Sequence, residues 1–168
     1  MSRHSPARRA ILRGRTLATF PFVKMHGAGN DFVVLDGIRH ELPPLELLAP
    51  RLADRHLGVG FDQLLVVRPS ADADFRMEIY NADGSQVEMC ANGIRAFFKY
   101  LRDHGHTRAE EVRVETLGGT VVPRWAGDTN FMSVCGSVRV VHDSLDLTYA
   151  QFRKTAERLG LPKLSASG

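Results

Sequence analysis

The sequence predicts an α+β fold, a curved and mostly antiparallel sheet wrapped around one buried helix. Two patterns carry this reading. Short apolar or alternating stretches recur along the chain, bounded by Gly, Pro, Asn and Asp, as strands joined by turns require. Among them, residues 91–104 place Ile94, Phe97, Phe98 and Leu101 at i, i+3, i+4 and i+7, a helix too apolar to lie on a surface. The chain has 168 residues, 43% hydrophobic and 24% charged, enough for one domain with a core. No internal repeat is visible. No apolar run approaches the roughly 18 residues needed to cross a bilayer.

In chain order, residues 20–25 and 31–36 read as strands separated by the tight segment His26-Gly27-Ala28-Gly29-Asn30. Pro43-Pro44 ends that unit. A short helix is expected next, with Pro50 in its first turn and Leu52 and His56 on neighbouring turns. Residues 61–67 form a compact apolar strand. Residues 75–80 alternate strictly, so Phe75, Met77 and Ile79 share a buried face. Ala82-Asp83-Gly84-Ser85 is turn chemistry, with Gly84 supplying a positive φ. The 91–104 helix follows and Gly105 caps it. Residues 111–116 and 120–125 make a hairpin about Gly118-Gly119, and residues 131–141 a further strand. Tyr149, Phe152, Ala156 and Leu159 define a last amphipathic helix, stopped by Gly160 and Pro162.

The net charge of +3 invites a nucleic-acid reading until it is located. Residues 1–20 hold Arg3, Arg8, Arg9, Arg13 and Arg15 and no acid. Removing those five from 22 basic residues leaves 17 against 19 acidic ones, a net of −2. The basicity belongs to a tail, not to a domain face, and no nucleic-acid footprint is expected. The tail lacks the apolar core of a secretory signal. Its Arg-rich composition resembles that of a transit peptide, but a short one, and a disordered extension or a start codon placed too far upstream is the simpler account. The expected organisation is a basic extension over 1–20, a folded unit over 21–142, and a tail with a short helix over 143–168. Two cysteines, Cys90 and Cys135, make neither a disulfide framework nor a zinc ligand set, and a reduced cytoplasmic setting is the default.

Cys90 stands immediately before the apolar helix. The first N–H groups of a helix lack partners and carry partial positive charge, so Ala91, Asn92 and Gly93 can hold an anion beside the sulfur and favour a thiolate. The same position equally suits a small buried hydrophobe. The loop from His26 to Phe32 lacks the third glycine and the following helix of a dinucleotide site. Asn30, Asn81 and Asn92 lie in Gly-rich turns or at a helix start, as turn residues or as neutral donors for a charged ligand. The seven histidines share no metal-ligand spacing, and no metal site is expected.

Three blocks carry a more specific signal. Lys24-Met25-His26-Gly27-Ala28-Gly29-Asn30-Asp31-Phe32 resembles the opening motif of diaminopimelate epimerases. Ala53-Asp54-Arg55-His56-Leu57-Gly58-Val59-Gly60-Phe61-Asp62-Gln63 is similar to their second block. Asn81-Ala82-Asp83-Gly84-Ser85-Gln86-Val87-Glu88-Met89-Cys90-Ala91-Asn92-Gly93 resembles the block around their first catalytic cysteine. The three occur in the family's order, and the likeness runs from about residue 22 to residue 125.

The resemblance implies an epimerase-like sheet or barrel around a central helix and conversion of L,L-diaminopimelate to the meso form in lysine biosynthesis, with no cofactor. It implies Cys90 as one acid/base, Asn30, Gln63 and Asn81 as substrate-binding side chains, and the N–H groups of Ala91 and Asn92 as a carboxylate site. Ala91 stands where the family usually has Gly, an added methyl that leaves the N–H in place. Inversion removes the α-proton on one face and returns a proton on the other, which one thiolate and one thiol can do. Helix N-termini can stabilise the charge that develops on the carboxylate by up to ~2 kcal/mol each. The family has two similar halves, each giving one cysteine, and only the first half is recognisable here, as expected of a truncated or internally deleted gene product. Cys135-Gly136-Ser137 lacks the preceding Glu-Thr of the second motif, and strand-like residues follow it. The resemblance therefore leaves three readings: a half that pairs with a second lobe or as a homodimer, a related racemase or isomerase, or an inactive half-domain that only binds.

Overall fold

The computed structural model describes residues 16–27, 29–127, 132–141 and 144–149, with side chains for 19–27 and 29–127. One sheet contains β1 (Thr16–Gly27), β2 (Asn30–Asp36), β3 (Gln63–Arg68), β4 (Phe75–Asn81), β5 (Val114–Thr116), β6 (Gly119–Val121), β7 (Met132–Val141) and β8 (Ser144–Tyr149). Their order is β6-β5-β4-β3-β2-β1-β7-β8. Two helices accompany it, α1 (Leu45–Ala53) and α2 (Ala91–Asp103). Only the β2–β3 and β4–β5 pairs are parallel, so the α+β, mostly antiparallel expectation holds.

Each parallel pair needs a crossover, and each crossover contains a helix. Both crossovers step the same way across the sheet, from β2 to β3 and from β4 to β5. The strand direction reverses between β3 and β4, so crossovers of one hand put their helices on opposite faces. Packing follows. Val23, Met25, Phe32, Val34, Leu65, Val67, Met77 and Ile79 face α2. Phe20, Phe22, Val33, Leu35, Leu64 and Val66 face α1. Burial on both faces explains why β2 and β3 read as continuous apolar runs instead of alternating. Ile94, Phe97, Phe98 and Leu101 are all buried, Phe97 and Leu101 completely, as the helical spacing requires.

The structure corrects the first helix. Pro50 lies near the end of α1, not in its first turn, and His56 lies beyond it. Asp54 ends the helix by accepting the N–H groups of His56 and Leu57, both at 2.8 Å. A proline at 50 cannot donate to the Glu46 carbonyl. Gly84, at φ +87°, packs against that oxygen so closely that a Cβ would clash with it. The Gly118-Gly119 hairpin forms, with Thr116 opposite Gly119, but its strands are shorter than expected. The sheet also extends further along the chain than the sequence signals: β1 starts at Thr16, and β8 pairs with β7. Tyr149 ends β8. The remaining positions of the expected last helix, and residues 1–15 of the basic extension, lie outside the described residues.

Candidate functional site

The site lies at one end of the sheet. β2 and β3 start there with Asn30 and Gln63, β4 ends there with Asn81, and β1 arrives at Gly27. Period-2 alternation puts Asn30 with Phe32, Gln63 with Leu65 and Asn81 with Ile79, all on the α2 side. The chain leaving β4 turns through Ala82-Asp83-Gly84-Ser85, where Asp83 accepts the Ser85 N–H at 2.9 Å, and then enters α2. The start of that helix therefore comes to the same end as the three carboxamides.

Cys90 is the N-cap of α2, with extended backbone at φ −141°. Its Sγ accepts the Gly93 N–H at 3.2 Å, a hydrogen bond that strengthens when the acceptor is anionic. Gly93 is compatible with this because a Cβ would lie about 3.3 Å from both Cys90 Sγ and Leu65 Cδ2. Cys90 is half-buried, and Leu65 sits two residues along β3 from Gln63. Ala91 is exposed and begins the helix, a backbone conformation any L-residue adopts, so the family's usual Gly is not needed there for φ.

The carboxamides meet in two pairs. Gln63 Nε2 donates to Asn81 Oδ1 at 3.3 Å, and Asn81 Nδ2 to Ser85 Oγ at 3.1 Å. Asn92 Nδ2 donates to Asn30 Oδ1 and to the Gly27 carbonyl, both at 3.1 Å. Asn92 Oδ1 is buried with no hydrogen-bond partner. The hydrogen bond of Cys90 within this group is to Gly93, not to a carboxamide. The arrangement offers neutral donors and acceptors around a helix start and a thiol, which suits a zwitterion better than a cation or an anion alone.

A charged cluster escaped the sequence reading. Arg55 forks onto both oxygens of Asp31, at 2.8 and 3.0 Å, and reaches Asp62 at 3.1 Å. The Asp31 and Asp62 N–H groups each bond the other's carboxylate, at 3.1 and 2.8 Å. Lys24 Nζ stands 3.4 Å from Asp31 and donates to the Val59 carbonyl at 3.2 Å. Hydrogen bonds from Arg55 hold the Asp31 carboxyl well below the usual carboxylate range; partial burial opposes them and Lys24 reinforces them. An open cleft of about 540 Å³ is lined by Lys24, His26, Asn30, Arg55 and Asp62. The available signal was the charge at the ends of three otherwise apolar strands, at Lys24, Asp31 and Asp62.

Among the described residues no group of His, Cys, Asp or Glu is placed to hold a metal ion. Among them, too, no helix is long and apolar enough to cross a membrane. Cys135 occupies the middle of β7, its backbone opposite Val23.

The family model for diaminopimelate epimerase matches residues 22–141. A diaminopimelate epimerase of Nitrosospira multiformis is 51% identical over 64% of this chain and 39% of its own length. One of Burkholderia thailandensis is 57% identical over 60% of this chain and 36% of its own length. The chain thus spans less than half the length of these curated relatives. In fold it is similar to a phenazine biosynthesis protein of the PhzF family from Bacillus anthracis, with a TM-score of 0.54, 19% identity, and 71% of this chain and 40% of the other covered. With its motifs at one sheet end and a family match over most of its length, this chain belongs to the diaminopimelate epimerase family.

Proposed function

We propose that this chain is one half of a cofactor-independent epimerase that interconverts L,L- and meso-diaminopimelate, a step supplying lysine and cell-wall synthesis in the cytoplasm. The observation that carries the reading is Cys90 as the N-cap of α2 at the sheet end that also holds Asn30, Gln63, Asn81 and Asn92. In this reading the N–H groups of Ala91 and Asn92 receive the substrate carboxylate, and Asn30, Gln63 and Asn81 bind the rest of the zwitterion. The Cys90 thiolate then takes the α-proton. The electron pair left on carbon delocalises into the carboxylate, where the helix start stabilises it. A thiol on the opposite face of the carbon gives its proton to that face and becomes the thiolate, completing inversion.

The opposing thiol comes from a second lobe or a second copy, since Cys135 lies within β7 and does not cap a helix as Cys90 does. Two copies of Cys90 across one substrate would be chemically alike, but two nearby thiols resist losing both protons, which supplies the mixed protonation state. The isolated monomer is expected to be inactive in turnover, and a dimer weakly active. A second reading, a half that binds but does not turn over, is favoured by the single helix-capping thiol. Deuterium uptake at the α-carbon of L,L-diaminopimelate separates them. Exchange in D₂O that Cys90→Ala abolishes supports a working base. Binding without exchange supports the second reading, and robust turnover by a species shown monomeric by light scattering overturns both.

A further inference from the structure

The charged cluster beside the site has a consequence for the carboxamides themselves. Asp62 Oδ2 accepts not only the Asp31 N–H but also Asn30 Nδ2, at 3.4 Å. A carboxylate only accepts, so this contact turns the nitrogen of Asn30 toward Asp62 and its oxygen toward Asn92. Asn92 presents nitrogen to that oxygen and to the Gly27 carbonyl, an acceptor that requires the same amide orientation. Its own Oδ1 is left as the unspent buried acceptor at the start of α2. The chain of contacts therefore runs from Arg55 through Asp62 and Asn30 to Asn92, with Asp62 and the Gly27 carbonyl fixing the amide orientations at its two ends. Arg55 anchors it, because its fork on Asp31 and its third contact with Asp62 hold the two carboxylates in their reciprocal bonds with the Asp31 and Asp62 N–H groups.

We infer that Arg55 and Asp62 are positioning residues that set the amide orientation of Asn30 and, through the Asn30–Asn92 hydrogen bond, help hold Asn92 in place. The inference rests on the proposed reading of these carboxamides as ligand-binding groups, and its test is built in two arms so that the two can fail separately.

The first arm uses no ligand. The side-chain amide signals of Asn30 and Asn92 are followed by ¹⁵N–¹H NMR in the full chain and in Arg55→Gln, Arg55→Lys and Asp62→Asn. Arg68→Gln, which breaks the distant Arg68–Glu78 pair, serves as the control. Expected are displaced Asn92 amide signals and about tenfold faster hydrogen exchange there in Asp62→Asn and Arg55→Gln, with no change in the control. Arg55→Lys keeps the charge without the fork and is expected to restore only part of the effect. Because Arg55 has no hydrogen bond to Asn92, a loss of local packing alone would not move that signature. Unchanged Asn92 signals in both Arg55→Gln and Asp62→Asn overturn the inference; should Asp62→Asn fail to fold, unchanged signals in the two Arg55 variants do so. The second arm titrates L,L-diaminopimelate. Kd is expected to rise about tenfold in Arg55→Gln at a temperature well below its melting. If the unmodified chain binds none, the substrate reading fails while the first arm still decides positioning.

Discussion

The two ends of α2 are built on opposite plans. At its C-terminal end, Asp36 and His106 meet at 2.7 Å with side chains only 3% and 6% exposed. The other Asp36 oxygen accepts the Ile38 and Arg39 N–H groups, both at 3.0 Å. Tyr100 stacks on His104 with ring centroids 4.2 Å apart, and His106 returns its N–H to the Leu101 carbonyl. The Asp36 carboxylate there is buried and hydrogen-bonded on both oxygens. At the N-terminal end the groups nearest the helix are neutral amides, exposed or half-buried, with an acceptor of Asn92 unspent and the Arg55 ion pairs lying more exposed beside them. One end is closed against water and fastens the helix to β2. The other leaves hydrogen-bonding capacity for something else, at the cost of stability that the closed end and the core supply.

The largest effect is expected where the helix enters the core. Phe97→Ala should lose about 3–5 kcal/mol in chemical denaturation, since the ring is completely enclosed. A loss under about 1 kcal/mol would mean that α2 is not the centre of the fold. At the closed end, Asp36→Ala should lose about 3 kcal/mol, because it leaves buried His106 without its partner and removes the acceptor of the Ile38 and Arg39 N–H groups. At the open end, Gln63→Ala should lose under about 1.5 kcal/mol while weakening ligand binding far more. Equal stability losses at Asp36 and Gln63 would erase the distinction between the ends.

Thiol chemistry sharpens it next. Cys90, half-buried at the open end, should react with iodoacetamide faster than mid-strand Cys135 near neutral pH, as peptide mapping of partially alkylated protein would report.

Acid gives the smallest effect. Burial lowers the His104 pKa from its ordinary 6.5, so the unfolded chain binds the extra proton in the window below 6.5. The His104 contribution is complete above that value and declines as pH falls through the window, which a melting series from neutral to pH 5 would detect. His104→Gln should flatten that slope; an unaltered slope would remove His104 as its source. Asp36 behaves as a carboxylate. Burial works to raise its pKa, but hydrogen bonds from Arg39, His106 and Ile38 outweigh burial and lower it below 3.8. Its contribution is therefore present above pH 3.8 and is lost only at lower pH, outside the His104 window.

Periodicity alone was enough to find α2 and to name its four core residues, because a 3.6-residue repeat of large apolar side chains has no other way to be buried. It also identified the turn at Gly84 and the helix start at Cys90, which depend on a few neighbouring residues. For Asn30 and Asn81 the residues alone left turn and ligand roles open, and Gln63 entered only through motifs, since a carboxamide at a strand end looks the same in sequence whether it closes a turn or lines a site. The end of α1 was misjudged because a proline is tolerated in a first turn, and the competing signal, Asp54 capping two downstream N–H groups, acts through local geometry that apolar spacing does not reveal. Strand order and direction decided the rest. The reversal between β3 and β4 put the helices on opposite faces and brought four chain segments to one end. The Arg55 fork joins Asp31 to Asp62 across 31 positions of sequence, and ion pairs of that kind exist only once parallel β2 and β3 are side by side. Long-range electrostatics of this sort depend on distances that pairing creates, and no local pattern of residues contains them.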